Sequence, residues 1–294
     1  MKIIERKHIA IEKWNALVKH SSHAQLFDTS EYLDAVAENW CILVDDEYTK
    51  GIALPYTIRL GIKTVYTPIF LRHVTLIGIS LSIDELVTLL QKKFKVGQLA
   101  ISIQSINSIY RYQSIDFQDE IIISSLGKRM LKRFDKNSFT VQFGQSTNKV
   151  EQHIKRELPK KINVLTTKTL QALQQLVTSF CAKSQVHVLE VFKQNEVIGG
   201  LFLLESKHRL LYLKGAFTEE SKKEGAMYGA MQQAIDLAKE KGLVFDFGGS
   251  RVEGVRRFNV NLGGKDCFYS SLEWNNAPFW FNWLKKMQGI WKKR

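Results

Sequence analysis

Glu224-Gly225-Ala226-Met227-Tyr228-Gly229-Ala230 opens a segment that runs as a helix to Lys241-Gly242 and continues as Leu243-Val244-Phe245-Asp246-Phe247-Gly248-Gly249-Ser250. It then passes through Arg251, Arg256, Arg257 and Phe258 to Leu262-Gly263-Gly264. Small residues at a helix start let backbone N–H groups come close to a phosphate, and the helix dipole favours negative charge there. The apolar strand after it ends in Asp246 and two glycines, where a second backbone can pass close by. Loop, helix, strand and glycine turn, in that order, hold a nucleotide-type donor beside an acceptor. Met227, Met231, Ala234, Ile235 and Ala238 fall on one helical stripe whose plain role is core packing.

Working outward, the chain reads as two copies of one pattern. Upstream of this segment, Thr167–Ala182 is predicted helical, with Leu170, Leu173, Leu176 and Val177 at helical spacing. Strands follow at Val186–Phe192, Val197–Leu204 and Leu210–Leu213. The first copy has a helical or mixed stretch over Trp14–Trp40, then Cys41–Val44, Gly51–Arg59 and Lys63–Tyr66 as strands. Ser82 caps a helix over Asp84–Lys95, which leads to strand Leu99–Ile103. A glycine recurs in the middle strand of each copy, at Gly51 and Gly199. The first copy lacks a Gly-Ala start to its helix, so the donor site is expected only in the second. The boundary is placed in the polar, basic stretch Asn137–Lys161, giving expected domains of 1–145 and 146–294.

The 294-residue chain is 45% hydrophobic and 11% aromatic, ample for buried cores. Charges in Met1–His8 stand where a signal peptide would be apolar. No apolar run approaches the ~18 residues of a membrane span. Cys41, Cys181 and Cys267 are odd in number and lack metal-like spacing. The expectation is a reduced, cytoplasmic protein, with peripheral contact at the inner face of the membrane left open. The net charge of +13 attracts polyanions, whether nucleic acid, anionic lipid or phosphorylated small molecules. Basic residues cluster at Lys128–Arg133, at Lys155-Arg156 with Lys160-Lys161, and at Arg251 with Arg256-Arg257.

Seven histidines show no paired-ligand spacing, so no metal is expected. A nucleophile elbow, a Walker loop and a G-x-G-x-x-G are all absent. Direct transfer between two bound substrates remains, where positioning and a stabilised oxyanion supply the rate.

Tyr212, Gly215, Gly225-Ala226, Phe245–Ser250, Phe258 and Gly263-Gly264, with Phe27, Ser30–Leu33, Gly51–Pro55 and Lys128–Arg133 upstream, together resemble the GNAT superfamily of acyltransferases, in its FemAB-like branch. The resemblance spans most of the chain and rests on the order and spacing of motifs that are individually weak. It implies an α/β fold of two tandem GNAT-like domains, each a mixed twisted sheet flanked by helices, facing a shared cleft. It implies N-acyl transfer from acyl-CoA or aminoacyl-tRNA, as a co-substrate without a tightly bound cofactor, to an amine acceptor such as a cell-wall precursor. By the same likeness, Lys222, Gly225 and Ala226 are expected at the donor phosphates. Two positions depart from the family pattern. Met227 stands where a second small residue is usual, and Asn259 or Phe258 stands where a tyrosine would protonate a thiolate. Both departures point toward the FemAB-like branch, although the long helical arm of some members is not evident.

Asp246 is the candidate base or amine-positioning group, with support of the glycine turn as its equal alternative. Tyr212, Lys214, Gly248, Gly249, Ser250, Arg251 and Arg256, with Lys128 and Arg129 opposite, are candidate substrate contacts for an anionic or lipid-linked acceptor or for tRNA. Only one of Tyr212 and Lys214 is expected to point inward. The tail from Phe279 to Arg294, aromatic and basic, suits either an anionic membrane surface or docking on the protein body. A catalytically inactive binding module for a phosphorylated ligand or RNA is the rival reading, and an ordinary acetyl-CoA N-acetyltransferase a third. Oligomeric state is not encoded in any motif.

Overall fold

The helix–strand order recurs in the computed structural model, which describes residues 1–103, 109–144, 147–157, 167–249, 251–281 and 283–284. The first repeat runs β1 (Lys2–Glu5), α1 (Ile11–His20), α2 (Ser30–Val36), β2 (Asn39–Val44), β3 (Gly51–Arg59), β4 (Ile62–Tyr66), α3 (Ile83–Gln91) and β5 (Val96–Ile101). β6 (Ile109–Ile115) and α4 (Ser125–Lys136) follow. The second repeat runs β7 (Thr140–Gly144), α5 (Asn148–Glu157), α6 (Thr167–Cys181), β8 (Val186–Lys193), β9 (Glu196–Glu205), β10 (Arg209–Phe217), α7 (Glu219–Lys223), α8 (Ala226–Glu240) and β11 (Val244–Asp246). α9 (Glu253–Asn261) and β12 (Lys265–Asn275) close the chain's regular structure.

Pairing is the same in both repeats. β1 through β4 form an antiparallel run, and so do β7 through β10. The fifth strand then lies parallel to the fourth, β5 on β4 and β11 on β10, because a helix crosses over between them. The strand after each repeat is exchanged: β6 pairs antiparallel with β11, and the second half of β12 pairs with β5.

With that exchange, the compact units are Met1–Ile109 with Tyr269–Arg294, and Tyr110–Phe268. The stretch Asn137–Lys161, expected as a boundary, holds β7 and α5, and the two apolar residues of α5, Val150 and Ile154, are buried. Residues 158–166 of that stretch lie outside the described residues.

In the first unit, the Trp14 indole N–H donates to the Asp28 carbonyl at 2.9 Å, tying α1 to the turn before α2. Ser82 accepts from the Glu85 N–H while Glu85 accepts from the Ser82 N–H, so the expected cap is a reciprocal one. In the second unit, α8 lays Ala226, Ala230, Met231, Ala234 and Ala238 on Leu189, Leu201, Leu203, Leu210 and Phe245. Its small residues bring the helix close to the sheet.

Candidate active site

The second sheet has two faces, and register sorts the candidate residues between them. Leu201, Leu203, Leu210 and Phe245 point at α8, so their alternates point away. Leu211 pairs with Asp246 and Lys214 with Phe202, which places Arg209, Lys214 and Asp246 on the face opposite α8. α5 covers that face, and a Cβ on Gly200 would meet Val150 at 2.6 Å. Tyr212 pairs with Leu203 and joins the α8 side. Lys214 and Tyr212, two residues apart, would share a face in a regular strand, and they lie on opposite faces because the register shifts between them.

The sheet opens beside β10. The register of β10 on β9 shifts between Tyr212 and Lys214, leaving Leu213 as a bulge outside the ladder. On its other edge, β10 pairs with β11 only over Arg209–Leu211. β11 stops at Asp246, and the Phe247 N–H turns instead to the Gln113 carbonyl. Among the described residues, the rest of that β10 edge has no strand partner, so the edge is left unpaired at the carboxyl ends of two parallel strands, where α/β sheets bind ligands. Gly248, at φ +77°, passes so close that a Cβ would lie 2.8 Å from the Tyr212 carbonyl oxygen. The Tyr212 hydroxyl accepts a hydrogen bond from the Gly215 N–H, and burial pushes this phenol above the usual range against that bond.

Asp246 is 1% exposed and fully engaged. Its carboxylate pairs with the Arg209 guanidinium at 3.4 Å and accepts the Gly248 N–H at 2.9 Å. The second of its two expected roles, holding the glycine turn, accounts for these contacts. Arg209 carries no distinguishing signal in the sequence, because its importance comes from the pairing of β10 with β11.

The start of α8 is packed against protein. A Cβ on Gly225, at φ +96°, would lie 2.4 Å from the Met130 carbonyl oxygen and 2.9 Å from the Phe134 nitrogen, both on α4. Gly229 faces the Phe134 ring. Arg133 donates to the Lys223 carbonyl, and the Asn137 amide to the Glu224 carbonyl. Lys222 pairs with Glu219 one turn away, and Ala226 is fully buried. The close approach that these glycines permit is to α4, so the residues expected at donor phosphates fit a pyrophosphate poorly.

The basic residues divide sharply. Arg256 grips Asp266 through Nε and Nη2, the latter at 2.6 Å, and Nη1 reaches Glu253. Hydrogen bonds to these carboxylates push its guanidinium further up and hold Asp266 below the usual carboxylate range. Asp266 also accepts from Gln113, which in turn accepts from buried Asn259. Arg256 is therefore a fastener of α9, and Asn259 belongs to the same network. Arg251 instead lays its guanidinium 4.0 Å above the Tyr110 ring with its surface exposed. Lys128 and Arg129 lie exposed on α4, beside α8 and α9 in the same unit. Gly249 is exposed in the turn, and Ser250 lies outside the described residues.

Phe279, Trp280 and Trp283 are exposed while Phe281 is buried; residues 285–294 of the tail lie outside the described residues. Among the described residues, no helix is long and apolar enough to cross a membrane, and no cluster of His, Cys, Asp or Glu could hold a metal ion.

The family model described as "Acetyltransferase (GNAT) domain" matches residues 138–258, the second repeat. No curated protein matches the sequence. Among solved structures, FemX matches with a TM-score of 0.65 at 11% identity, covering 94% of this chain and 98% of that one. The L-PGS of Bacillus licheniformis matches with a TM-score of 0.57 at 13% identity, covering 91% and 92%. A tandem GNAT protein from the clavulanic acid biosynthesis pathway matches with a TM-score of 0.51 at 8% identity, covering 94% and 99%. These identities establish the fold alone. Residues 138–258 thus match the GNAT acetyltransferase domain, and the chain as a whole shares the tandem GNAT-like α/β fold of these structures.

Proposed function

We propose that the chain is an N-acyltransferase that joins an activated acyl or aminoacyl group to an amine at the unpaired edge of β10. The observation that carries this reading is the bulge at Leu213 next to the point where β10 and β11 part. A bulge frees backbone N–H groups from the ladder, and N–H groups fixed beside a carbonyl stabilise the oxyanion formed when an amine attacks it. Little else is needed, because holding amine and acyl carbon in contact supplies much of the rate.

Of the two donors, aminoacyl-tRNA is favoured over acyl-CoA. α4 fills the space against Gly225 and Gly229 that a pyrophosphate would need. The outer side of α4 carries Lys128, Arg129 and Lys132, exposed cations suited to an RNA backbone. Arg251 and Arg257 remain available to an anionic acceptor, as a phosphorylated or lipid-linked cell-wall precursor would be. FemX and the L-PGS of Bacillus licheniformis share the fold across nearly the whole chain, in keeping with this reading.

The rival reading, an inactive binding module, is favoured by the full engagement of Asp246 with Arg209 and Gly248. Calorimetric titration with acetyl-CoA, alanyl-tRNA and a nucleotide-linked peptidoglycan precursor separates the readings. Binding of alanyl-tRNA and precursor, followed by transfer of alanine, supports the enzyme. Binding of acetyl-CoA alone overturns the choice of donor, and binding without transfer supports the module.

A further inference from the structure

Lys214 is the first residue after the bulge, and its pairing with Phe202 aims it at the face under α5. Its side chain is partly buried and reaches no carboxylate or hydrogen-bond partner among the described residues. The other titratable groups on that face are all committed. Arg209 and Asp246 hold each other. Glu190, on β8, faces Lys149 of α5. His153, on α5, meets the Val197 carbonyl and Arg156, and Arg156 also reaches Glu157. Ser114 and Cys267 contact each other. From β9 come only the apolar Phe202 and Leu204. Burial, with no opposing anion among the described residues, pushes the Lys214 ammonium below the ordinary lysine range.

A partly buried lysine without a counter-ion costs stability, so its position at the one bulge of β10 calls for a use. We propose that the Lys214 amine is the base that takes the proton released when the acceptor amine attacks the acyl carbonyl at the unpaired edge of β10. This rests on the acyltransferase reading above. In the step, the acceptor nitrogen forms a bond to the carbonyl carbon and the bond from that carbon to the leaving oxygen breaks. The proton lost by the acceptor nitrogen passes to Nζ, making an ammonium. That ammonium can then protonate the departing alkoxide, which restores the neutral amine for the next turnover. One group thus serves as base and then acid, and no co-reactant is required.

The test has two independent arms. In the first, lysines are reductively methylated with a carbon-13 label and titrated by NMR, with Lys214→Arg assigning the signal. The expected result is that Lys214 titrates well below exposed lysines such as Lys239. Titration together with them overturns the proposal. In the second arm, alanine transfer from alanyl-tRNA to a nucleotide-linked peptidoglycan precursor is followed against pH. Wild-type kcat/KM is expected to rise along a limb set by Lys214. Lys214→Met is expected to lose that limb and about 10²–10⁴-fold in rate while donor affinity is kept. Lys239→Met should behave as wild type. If Lys214→Met retains both rate and limb, the base lies elsewhere and the acyltransferase reading survives. If the wild type transfers nothing although Lys214 titrates low, that reading fails and the base with it.

Discussion

The α-carbon of Gly225 faces the Met130 carbonyl so closely that a Cβ would lie 2.4 Å from its oxygen. A glycine that sequence assigns to ligand approach is here spent on helix packing, with φ +96° adding a backbone reason for it. Gly225→Ala is therefore expected to destabilise the protein by about 2–4 kcal/mol, combining left-handed strain with a clash against backbone. Urea unfolding measures this. Normal stability with lost donor binding would return Gly225 to the donor site.

Arg256 and Arg251 are expected to behave oppositely. Arg256→Ala strips Asp266 of its main partner and should lower the unfolding midpoint. Arg251→Ala removes an exposed guanidinium from the Tyr110 ring and should change stability by less than about 1 kcal/mol. Its effect should fall on an anionic ligand, weakened by about 1.5–3 kcal/mol in calorimetry. Loss of fold with unchanged affinity would make Arg251 structural too.

Asp246→Asn keeps the shape but removes the charge opposite Arg209 and weakens acceptance of the Gly248 N–H. About 2–4 kcal/mol of stability should be lost, since breaking a buried pair strands its partner. Thermal unfolding reports the loss. An unchanged midpoint together with abolished transfer would instead assign Asp246 to chemistry.

Glu5 provides the pH dependence of the first unit. Lys63 and Lys93 both lie 2.8 Å from its carboxylate, and the Tyr56 hydroxyl donates to it at 2.7 Å. Burial alone would raise this carboxyl, but the three partners outweigh it and hold it at about 2 instead of 4.5. A depressed folded value stabilises above the unfolded one. The contribution should therefore be complete above about pH 4.5 and lost as pH falls toward 2. Glu5→Gln should lower stability by about 1–3 kcal/mol at pH 7 and flatten the acid side of the stability profile. A parallel profile with the same acid limb would contradict this.

The repeated element order was legible because each repeat carries strong local signals. Leu173, Leu176 and Val177 sit at helical spacing, Ser82 caps with Glu85, and Val186–Phe192 is a buried strand. α5 was missed because its sequence is mostly charged and only a few residues carry its buried face. β7 was missed because it is a short, largely exposed edge strand.

Sequence by itself determined the repeated helix–strand order, the lack of metal-ligand spacing and the basic charge, since each follows from residue type and local periodicity, and its motifs carried the resemblance to GNAT acyltransferases. Tertiary structure alone decided which strand each repeat exchanges, because β6 and β12 find partners far away in the chain. It also decided that Arg256 serves Asp266 while Arg251 stays exposed, two residues that sequence made equivalent. Finally, it decided that Lys214 meets no counter-ion among the described residues. Charge state and partnership depend on what a fold brings within a few ångströms, and no local pattern encodes that distance.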